Sequence, residues 1–489
     1  MQQSEIYERA RLARDPRFDG QFFIGVSTTG IYCRPICPAV SPRRENIAYF
    51  PSAAAAGEAG FRPCLRCRPE CAPGTPAWSG TSTTVRRGLR LISGGALDEG
   101  NVEQLADRLG VTSRHLRRLF GRHLGASPLA VASTQRLHFA KRLIDETSMP
   151  MSLIAEAAGY GSVRRFNDTL KANYGRTPRE LRRSSTRRRP AVDAATLCVR
   201  LSYRRPFQWQ RLLQFFALRA TPGVEAVSGD RYYRSASLSG SHAIIELKPD
   251  ETDHYLLLTL RGVPTTSLFD IVQRCREMFD LDAPVADISA VLEKDPLLAR
   301  LLQTQQGIRV PGSWDGFELA VRAILGQQVS VKAATTLAGR LAASYGETLV
   351  LPDGVAHGEL TRIFPVAERL LRARLENCGI IHSRAETVRT LARAVTRGEL
   401  NFDASQDPED FCNALKSIKG IGDWTAQYVA MRCLKNPDAF PASDLGLIKA
   451  IEPSKRVTPA ELLARAEEWR PWRAYAALLL WGSDTSSGG

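Results

Sequence analysis

The stretch LKSIKGIGDWTAQYVAMRCL, residues 415–434, decides the fold class of the C-terminal part of this chain. Helical patterns flank the short turn Ile418-Lys419-Gly420-Ile421-Gly422. Gly420 and Gly422 lack a Cβ, so the backbone N–H groups of the turn can approach a phosphate closely. Two glycines alone are weak evidence for such a role. The pattern nevertheless predicts a hairpin between two helices that can bind a nucleic-acid backbone.

One acidic residue, Asp444 in FPASDLGLIKA (440–450), follows this hairpin. The hairpin and the aspartate together resemble the AlkA-type helix-hairpin-helix DNA glycosylases. The resemblance extends to YRRPFQWQRLLQFFALRATPGVE (203–225), FELAVRAILGQQVSVKAATTLAGRL (317–341) and EEWRPWRAYAALLLWG (467–482). It implies a mixed α/β accessory domain over 191–300, where the sequence alternates as strands do, and an all-α glycosylase domain over 301–489.

Asp444 matches the catalytic aspartate of that family. Release of a base from deoxyribose passes through an oxocarbenium-like state, which a nearby carboxylate stabilises. The resemblance therefore implies that Asp444 stabilises the cation and orients or deprotonates water. From the residues alone, the alternative is that Asp444 is only the N-cap of the next helix.

Three aromatic residues are candidates for the walls of a base pocket. Trp424 and Tyr428 are four residues apart and share a helix face. With Trp481 they are expected to stack on a base flipped out of the duplex. Alkylated bases such as 3-methyladenine carry positive charge, and electron-rich rings bind cations. The alternative is that these rings are ordinary core aromatics.

Two positions differ from patterns in this fold family. Members that act as lyases carry a lysine just after the hairpin, where this chain has Trp424. We therefore predict hydrolysis by water rather than a Schiff base. Gln328 stands where AlkA-type proteins have a leucine that fills the gap left by the flipped base. Glutamine is long enough to fill that gap and to hydrogen-bond to the orphaned partner base. The family also implies a monovalent cation at the hairpin.

Four cysteines near the start form a metal-ligand pattern: Cys33 and Cys37 in GIYCRPICP, and Cys64 and Cys67 in FRPCLRCRPE. The spacing is typical of zinc ribbons, and four thiolates can close a tetrahedron around one Zn²⁺. A zinc-bound thiolate is also a nucleophile at neutral pH. The spacing does not exclude a purely structural zinc.

The strings STTGIYCRPIC (27–37) and GFRPCLRC (60–67) resemble the Ada-type methyl-acceptor domain, expected here over residues 1–75. The resemblance implies that Cys33 accepts a methyl group from a methylated DNA phosphate. Four thiolates on Zn²⁺ carry a formal charge of −2, and methylation of one leaves −1. Weaker repulsion of DNA then raises affinity, so the transfer can serve as a switch.

Two helix-turn-helix patterns repeat within residues 85–183: VEQLADRLGVTSRHLRRLFGRHLG (102–125) and SLIAEAAGYGSVRRFNDTLKANYGRTP (152–178). In each, a glycine turn precedes a basic helix with one apolar face, and the other face is expected in the major groove. The candidate DNA contacts are Ser113, Arg114, Arg117, Arg118, Ser162, Arg164 and Arg165. The ending YGRTPRELR resembles the AraC-type DNA-binding domain and implies RNA polymerase as a partner. A helical bundle with a solvated basic face is the alternative.

Composition fits a DNA-directed protein. The chain has 489 residues, with 66 Lys+Arg against 51 Asp+Glu and a formal net charge of +15. Such an excess favours a polyanionic partner, although an arginine-rich proteome would also produce it. The 10 cysteines do not form a disulfide framework, which is typical of a reducing cytoplasm. No apolar run is long enough for a membrane helix.

Together these patterns predict a multidomain α+β, cytoplasmic, monomeric protein with a bifunctional role in DNA alkylation damage. It would excise 3-methyladenine-type bases from double-stranded DNA, sense methylphosphotriesters and regulate promoters. One alternative is a regulator whose glycosylase half is inactive. A second is an enzyme whose zinc module is only structural. The arginine-rich segment 182–190 suggests flexibly joined halves.

Overall fold

The computed structural model describes residues 3–73, 83–98, 100–184, 196–250, 254–351, 358–403, 406–451 and 457–484. Most of the arginine-rich segment 182–190 therefore lies outside the described residues. Within the described part of the chain, none of the helices combines the length and the apolar character needed to cross a membrane.

The metal-binding unit, residues 3–73, is built on a small four-stranded sheet in the order β3-β1-β2-β4. β1 pairs antiparallel with β2 and β3, and β2 pairs parallel with β4. β2 ends at Cys33, and β4 ends just before Cys64, so the sheet brings the two cysteine pairs together. The elements are α1 (Gln3–Leu12), β1 (Phe23–Val26), β2 (Ile31–Cys33), β3 (Ile47–Phe50), α2 (Ala53–Glu58) and β4 (Arg62–Pro63).

The helix-turn-helix unit, residues 83–184, contains two copies of the predicted motif on either side of a long helix. The turns contain Gly110 (φ 69°) and Gly159 (φ 72°), a left-handed conformation that suits glycine. The second helix of each copy buries an apolar face, with Leu116 and Phe120 in the first and Phe166 and Leu170 in the second completely buried, whereas Leu119 is only partly buried. The helices are α3 (Thr83–Ser93), α4 (Val102–Arg108), α5 (Ser113–Leu124), α6 (Pro128–Glu146), α7 (Met151–Ala157), α8 (Val163–Tyr174) and α9 (Pro178–Ser184).

The C-terminal half, residues 196–484, begins with an antiparallel five-stranded sheet in the order β5-β9-β8-β7-β6. One face of α10 packs on this sheet through Leu212, Leu213 and Phe216. The elements are β5 (Thr196–Ser202), α10 (Trp209–Arg219), β6 (Glu225–Ser228), β7 (Arg231–Leu238), β8 (Ser241–Pro249), β9 (Tyr255–Arg261), α11 (Leu268–Met278), α12 (Val285–Leu292) and α13 (Pro296–Thr304).

The rest of the C-terminal half is helical and has a large core of its own. Val321, Leu391, Val429 and Leu480, from four different helices, are completely buried in it. The helices are α14 (Gly316–Leu325), α15 (Val331–Tyr345), α16 (Ala367–Leu370), α17 (His382–Thr396), α18 (Pro408–Lys416), α19 (Asp423–Arg432), α20 (Leu445–Ile451), α21 (Pro459–Ala466) and α22 (Arg473–Asp484).

The expected boundary between accessory and glycosylase domains, at 300/301, falls inside α13. Leu298 and Leu302 of α13 pack in the helical core rather than against the sheet. The four domain boundaries drawn from the sequence stay predictions.

The expectation of flexibly joined halves is wrong for the described residues. Helix α6 and the five-stranded sheet share one hydrophobic core, in which the rings of Phe139 and Phe269 lie 4.8 Å apart. Arg142 donates to the carbonyl of Arg200 in β5, and Glu146 accepts from the Arg200 N–H at 2.9 Å. Apolar burial, together with hydrogen bonds between α6 side chains and the main chain of β5, therefore joins the helix-turn-helix unit to the C-terminal half.

Candidate functional site

A cavity of about 620 Å³ lies in the C-terminal half between α10, α14, α15, α19 and α22. It is lined by side chains of both the sheet region and the helical region. Asp444, Trp424, Tyr428 and Trp481 all line it. The candidate residues that the resemblance implied, from three separate parts of the sequence, thus meet around one space of a size suited to a small planar ligand.

Asp444 lies directly before α20, half-buried at the cavity wall. Its Oδ1 accepts from the Leu447 N–H at 3.0 Å, which is an N-cap hydrogen bond. Oδ1 also accepts from Trp481 Nε1 at 2.9 Å, and Oδ2 accepts from Trp424 Nε1 at 2.6 Å. The two interpretations of this residue are therefore compatible, because the cap and the two indoles hold one carboxylate in a fixed orientation.

Two of the three aromatic rings stack on each other, and the third meets the stack edge-on. Trp424 and Tyr428 stack with ring centroids 5.1 Å apart and planes 8° from parallel. Trp481 stands at 64° to Tyr428, with centroids 6.5 Å apart. A flat ligand entering this space meets the face of one ring and the edge of another, an arrangement that favours aromatic and cationic rings.

The Tyr428 hydroxyl accepts from Arg432 Nη1 at 2.6 Å. Burial opposes ionisation of this phenol, but the guanidinium groups of Arg432 and Arg219 outweigh burial and lower the pKa of Tyr428. Arg432 itself is held by the carbonyls of Pro311 and Gly312 at 2.8 and 2.9 Å. The hydroxyl of Tyr428 therefore lies in an electropositive setting, and main-chain carbonyls hold the guanidinium beside it.

Sequence reasoning missed Phe215 and the five arginines that line the cavity, Arg211, Arg219, Arg309, Arg322 and Arg432. Phe215 lies on the face of α10 opposite the sheet, with the Arg219 guanidinium 4.0 Å from its ring centroid. The spacing of Phe215 and Arg219, four residues apart, was a usable signal for a helix face that carries both. Nothing local in the sequence indicates that this face meets α19.

The hairpin between α18 and α19 lies beside the cavity. Gly420 has φ 97°, and a methyl group there would overlap Thr387 Oγ1, so glycine is required. Gln327 Nε2 donates to the Gly420 carbonyl at 2.9 Å and ties the hairpin to the loop after α14. Gly422 is exposed, with open space around the position of a Cβ. A phosphate can therefore approach the hairpin backbone here.

Gln328 follows Gln327 in that loop and is exposed, in the left-handed conformation with φ 53°. Its neighbours Gly326 and Val329 line the cavity. Gln328 itself is not among the residues that line the cavity, and its role in filling a vacated base position stays a prediction.

The second candidate site is in the metal-binding unit. One Sγ atom from each of Cys33, Cys37, Cys64 and Cys67 lies within 4.8 Å of the others. The Arg34 N–H donates to Cys67 Sγ at 3.3 Å, a bond that suits a thiolate. Four convergent sulfurs fit the tetrahedral coordination of Zn²⁺. Cys64 and Cys67 are buried, whereas Cys33 and Cys37 are half-buried and open to a reactant.

The predicted arginines of the helix-turn-helix unit are all exposed on the second helices of their motifs, α5 and α8. Arg117 pairs with Glu103 at 2.9 Å, and Arg164 lies 3.9 Å from Asp168. Such exposed pairs are weak and can exchange for phosphate contacts. Ser162 instead caps α8 by accepting from the Arg165 N–H at 3.2 Å, and Ser113 accepts from Arg117.

The fold and these two sites define a base-excision protein of the helix-hairpin-helix class joined to a metal-binding and helix-turn-helix module. Family models match in the same order: the metal-binding domain of Ada (7–70), a helix-turn-helix domain (105–184), the AlkA N-terminal domain (198–315) and the HhH-GPD superfamily of base excision DNA repair proteins (321–473).

Some proteins of similar sequence align with nearly the whole chain, and others align with only one of its halves. A protein of Mycobacterium tuberculosis described as a probable bifunctional transcriptional activator/DNA repair enzyme AlkA is 41% identical over 97% of this chain and 95% of its own length. DNA-3-methyladenine glycosylase 2 of Escherichia coli is 34% identical over 58% of this chain and 95% of its own length. The bifunctional activator/repair enzyme Ada of Escherichia coli is 34% identical over 35% of this chain and 47% of its own.

The chain therefore belongs to the family of bifunctional transcriptional activator/DNA repair enzymes that join an Ada-type module to an AlkA-type module. A solved 3-methyladenine DNA glycosylase from Archaeoglobus fulgidus shares the fold of the C-terminal half, with a TM-score of 0.52 over 60% of this chain and 99% of that structure, at 22% identity.

Proposed function

We propose that the C-terminal half hydrolyses the N-glycosidic bond of alkylated bases of the 3-methyladenine type in double-stranded DNA. The observation that carries this proposal is the Asp444 carboxylate, held by two indole N–H groups at the wall of an aromatic cavity beside the hairpin. In this reaction the hairpin would anchor the DNA, the aromatic cavity would hold the base, and Asp444 would stabilise the developing charge.

Each part has a role in this reaction. The hairpin at Gly420 and Gly422 binds the DNA backbone, aided by a monovalent cation, and Gln328 fills the space of the flipped nucleotide. The base stacks among Trp424, Tyr428 and Trp481.

The chemical step then takes place beside Asp444. The electron pair of the C1′–N bond goes to the positively charged base, which leaves neutral. Asp444 stabilises the cation that develops at C1′. Oδ1 already accepts two hydrogen bonds, whereas Oδ2 accepts one among the described residues and keeps a lone pair for this purpose. Water then forms the new C1′–O bond and releases its proton by way of the carboxylate. Trp424 at the position of the lyase lysine supports water as the nucleophile.

For the N-terminal half we propose a methylphosphotriester sensor. Zn²⁺ held by the four cysteines would keep Cys33 as a thiolate without a general base. The Cys33 sulfur forms a bond to the methyl carbon, and the C–O bond breaks with its electron pair left on the phosphate oxygen. The helix-turn-helix unit, through Arg114, Arg117, Arg118, Arg164 and Arg165, would bind promoter DNA and bring RNA polymerase to it.

The glycosylase proposal is tested by base release from duplex DNA treated with a methylating agent. Chromatography of the supernatant should reveal free 3-methyladenine after incubation with the full-length chain. A folded protein that releases no base would instead support the regulator whose glycosylase half is inactive.

The metal site is tested by Cys64→Ser. Because Cys64 is a buried member of the cluster, its loss should open the tetrahedron and unfold the metal-binding unit. Cys71→Ser is the matched control, since Cys71 is buried in the same unit but lies outside the cluster. Elemental analysis should show zinc lost from the first variant only. Full zinc content in Cys64→Ser would contradict the ligand set.

The helix-turn-helix assignment is tested by Arg164→Ala. Arg164 is 93% exposed on α8, so its removal should not disturb folding. A lost phosphate contact reduces the slope of log affinity against log salt by about 1. The control is Arg397→Ala, another exposed arginine, near the end of α17. Salt titrations that give the same slope for the Arg164 variant and wild type would remove this residue from the interface.

A further inference from the structure

The segment that leads from β5 into α10 is held by an arginine that crosses between the two halves. Arg204 is 4% exposed. Its Nε donates to the Asp282 carbonyl at 3.2 Å, within the C-terminal half. Its Nη1 donates to the carbonyl of Asp19 at 3.0 Å, in the metal-binding unit. The start of one cavity wall is therefore fixed partly by the N-terminal half.

Asp19 is itself tied to the cysteine cluster. Its carboxylate accepts two hydrogen bonds from Arg34, one of them from Nε at 2.8 Å, and both side chains are buried. Arg34 Nη1 also donates to the Cys67 carbonyl at 3.1 Å. Because Arg34 follows Cys33 directly and binds Cys67 through both backbone and side chain, it spans the two ligand pairs.

The main chain around Arg204 is in turn hydrogen-bonded to a residue that lines the cavity. Arg309, which is 5% exposed, donates to the carbonyls of Arg204 and Pro206, the latter at 3.1 Å. Gly307 packs so closely on Pro206 that a methyl group there would overlap the Pro206 carbonyl. Gly307 and Arg309 both line the cavity, and so does Gln208, two residues after Pro206.

We propose that Asp19 and Arg34 are positioning residues for the cavity of the C-terminal half, acting through Arg204 and Arg309. This inference rests on the proposed glycosylase function and adds that the metal-binding unit is part of the structure that makes the excision site. The path runs from Cys67 through Arg34, Asp19 and Arg204 to Arg309.

The physical basis is the cost of leaving buried charges without partners. Loss of Arg34 leaves the buried Asp19 carboxylate without its charged partner. The turn at Asp19, whose carbonyl accepts from Arg204, is then free to move. Arg309 is a buried guanidinium held by main-chain carbonyls, so its position depends on where those carbonyls lie. A displacement of about 1 Å in a pocket wall is enough to slow a reaction by one or two orders of magnitude.

Arg34→Met tests this proposal from within the metal-binding unit. The single-turnover rate of 3-methyladenine excision should fall about tenfold. Affinity for undamaged duplex and zinc content should stay at wild-type values, because the hairpin, α5, α8 and the four cysteines are unchanged. The matched control is Arg17→Met, which removes an exposed arginine of the same unit that pairs with Asp15. It should excise at the wild-type rate.

Asp19→Asn keeps the shape of its side chain and is the second variant, to be used if Arg34→Met loses zinc. It should slow excision in the same direction. The double variant Arg34→Met/Arg204→Met should be no slower than the slower single variant, since both act on one path.

Wild-type excision by a zinc-loaded Arg34→Met protein, or rate losses that multiply in the double variant, would overturn the proposal. Hydrogen exchange at the Val310 amide, which donates to Asp280 at 2.9 Å, should be faster in Arg34→Met. This readout needs no activity. If wild type excises nothing, the glycosylase proposal fails while the exchange result still decides whether the two units are coupled.

Discussion

Asp444→Asn is expected to reduce base excision by about a thousandfold or more while leaving DNA binding intact or tighter. The carboxylate is the charge that opposes the developing cation at C1′, and fixed charges of this kind contribute a large share of enzymatic rate enhancement. Asparagine preserves the size of the side chain, but one of its two ends becomes a donor and meets an indole N–H. Removal of a negative charge near phosphates does not weaken DNA binding.

The measurement is single-turnover release of 3-methyladenine, with affinity for the same duplex determined in parallel. Asp423→Asn is the matched control, because Asp423 is an exposed carboxylate at the start of α19, beside the hairpin, that pairs loosely with Lys416 at 3.5 Å. Unchanged excision in Asp444→Asn would refute the assignment of this residue. Loss of both excision and binding would point to misfolding.

The second large effect concerns methyl transfer to Cys33. Zinc-loaded protein incubated with DNA that carries methylphosphotriesters should gain one methyl group, on Cys33. Cys64 and Cys67 are buried, so a reactant as large as DNA can approach only Cys33 and Cys37. Fragmentation of the peptide by mass spectrometry distinguishes these two. Protein stripped of zinc by a chelator should gain no methyl, because contacts with the Cys37 and Cys64 sulfurs, together with burial, raise the pKa of the Cys33 thiol when no metal holds it as a thiolate.

The neighbouring Cys37 is the internal control for this experiment, since it is half-buried in the same cluster. A methyl group found on Cys37 would move the acceptor role to that residue. Zinc-loaded protein that never gains a methyl would leave the cluster a structural role only, and the N-terminal half would then be a DNA-binding support.

The local motifs were predictable from sequence because their chemistry is local. The glycine turn between α18 and α19, the paired cysteines and the two helix-turn-helix copies each need only neighbouring residues to specify them. Asp444 makes one contact that follows from neighbouring residues and two that do not. Its N-cap role follows from the helix that begins after it, whereas its bonds to Trp424 and Trp481 depend on residues 20 and 37 positions away.

Contacts between the modules could not be predicted, since they arise from surfaces distant in sequence. Helix α6 belongs to a strongly basic region, yet Lys141 is 4% exposed and pairs with the buried Asp145 at 2.5 Å. Arg68 of the metal-binding unit also contacts Asp145, at 2.6 Å. Part of the positive charge of this region is thus neutralised at an internal interface.

The central claim is that one chain both excises alkylated bases and accepts methyl groups from the DNA backbone. It is tested most directly in a single sample, in which duplex DNA treated with a methylating agent is incubated with the full-length protein. Chromatography of the supernatant and mass spectrometry of the protein follow. We predict free 3-methyladenine together with one methyl group on Cys33. Well-folded, zinc-loaded protein that yields only one of these two products would contradict the claim.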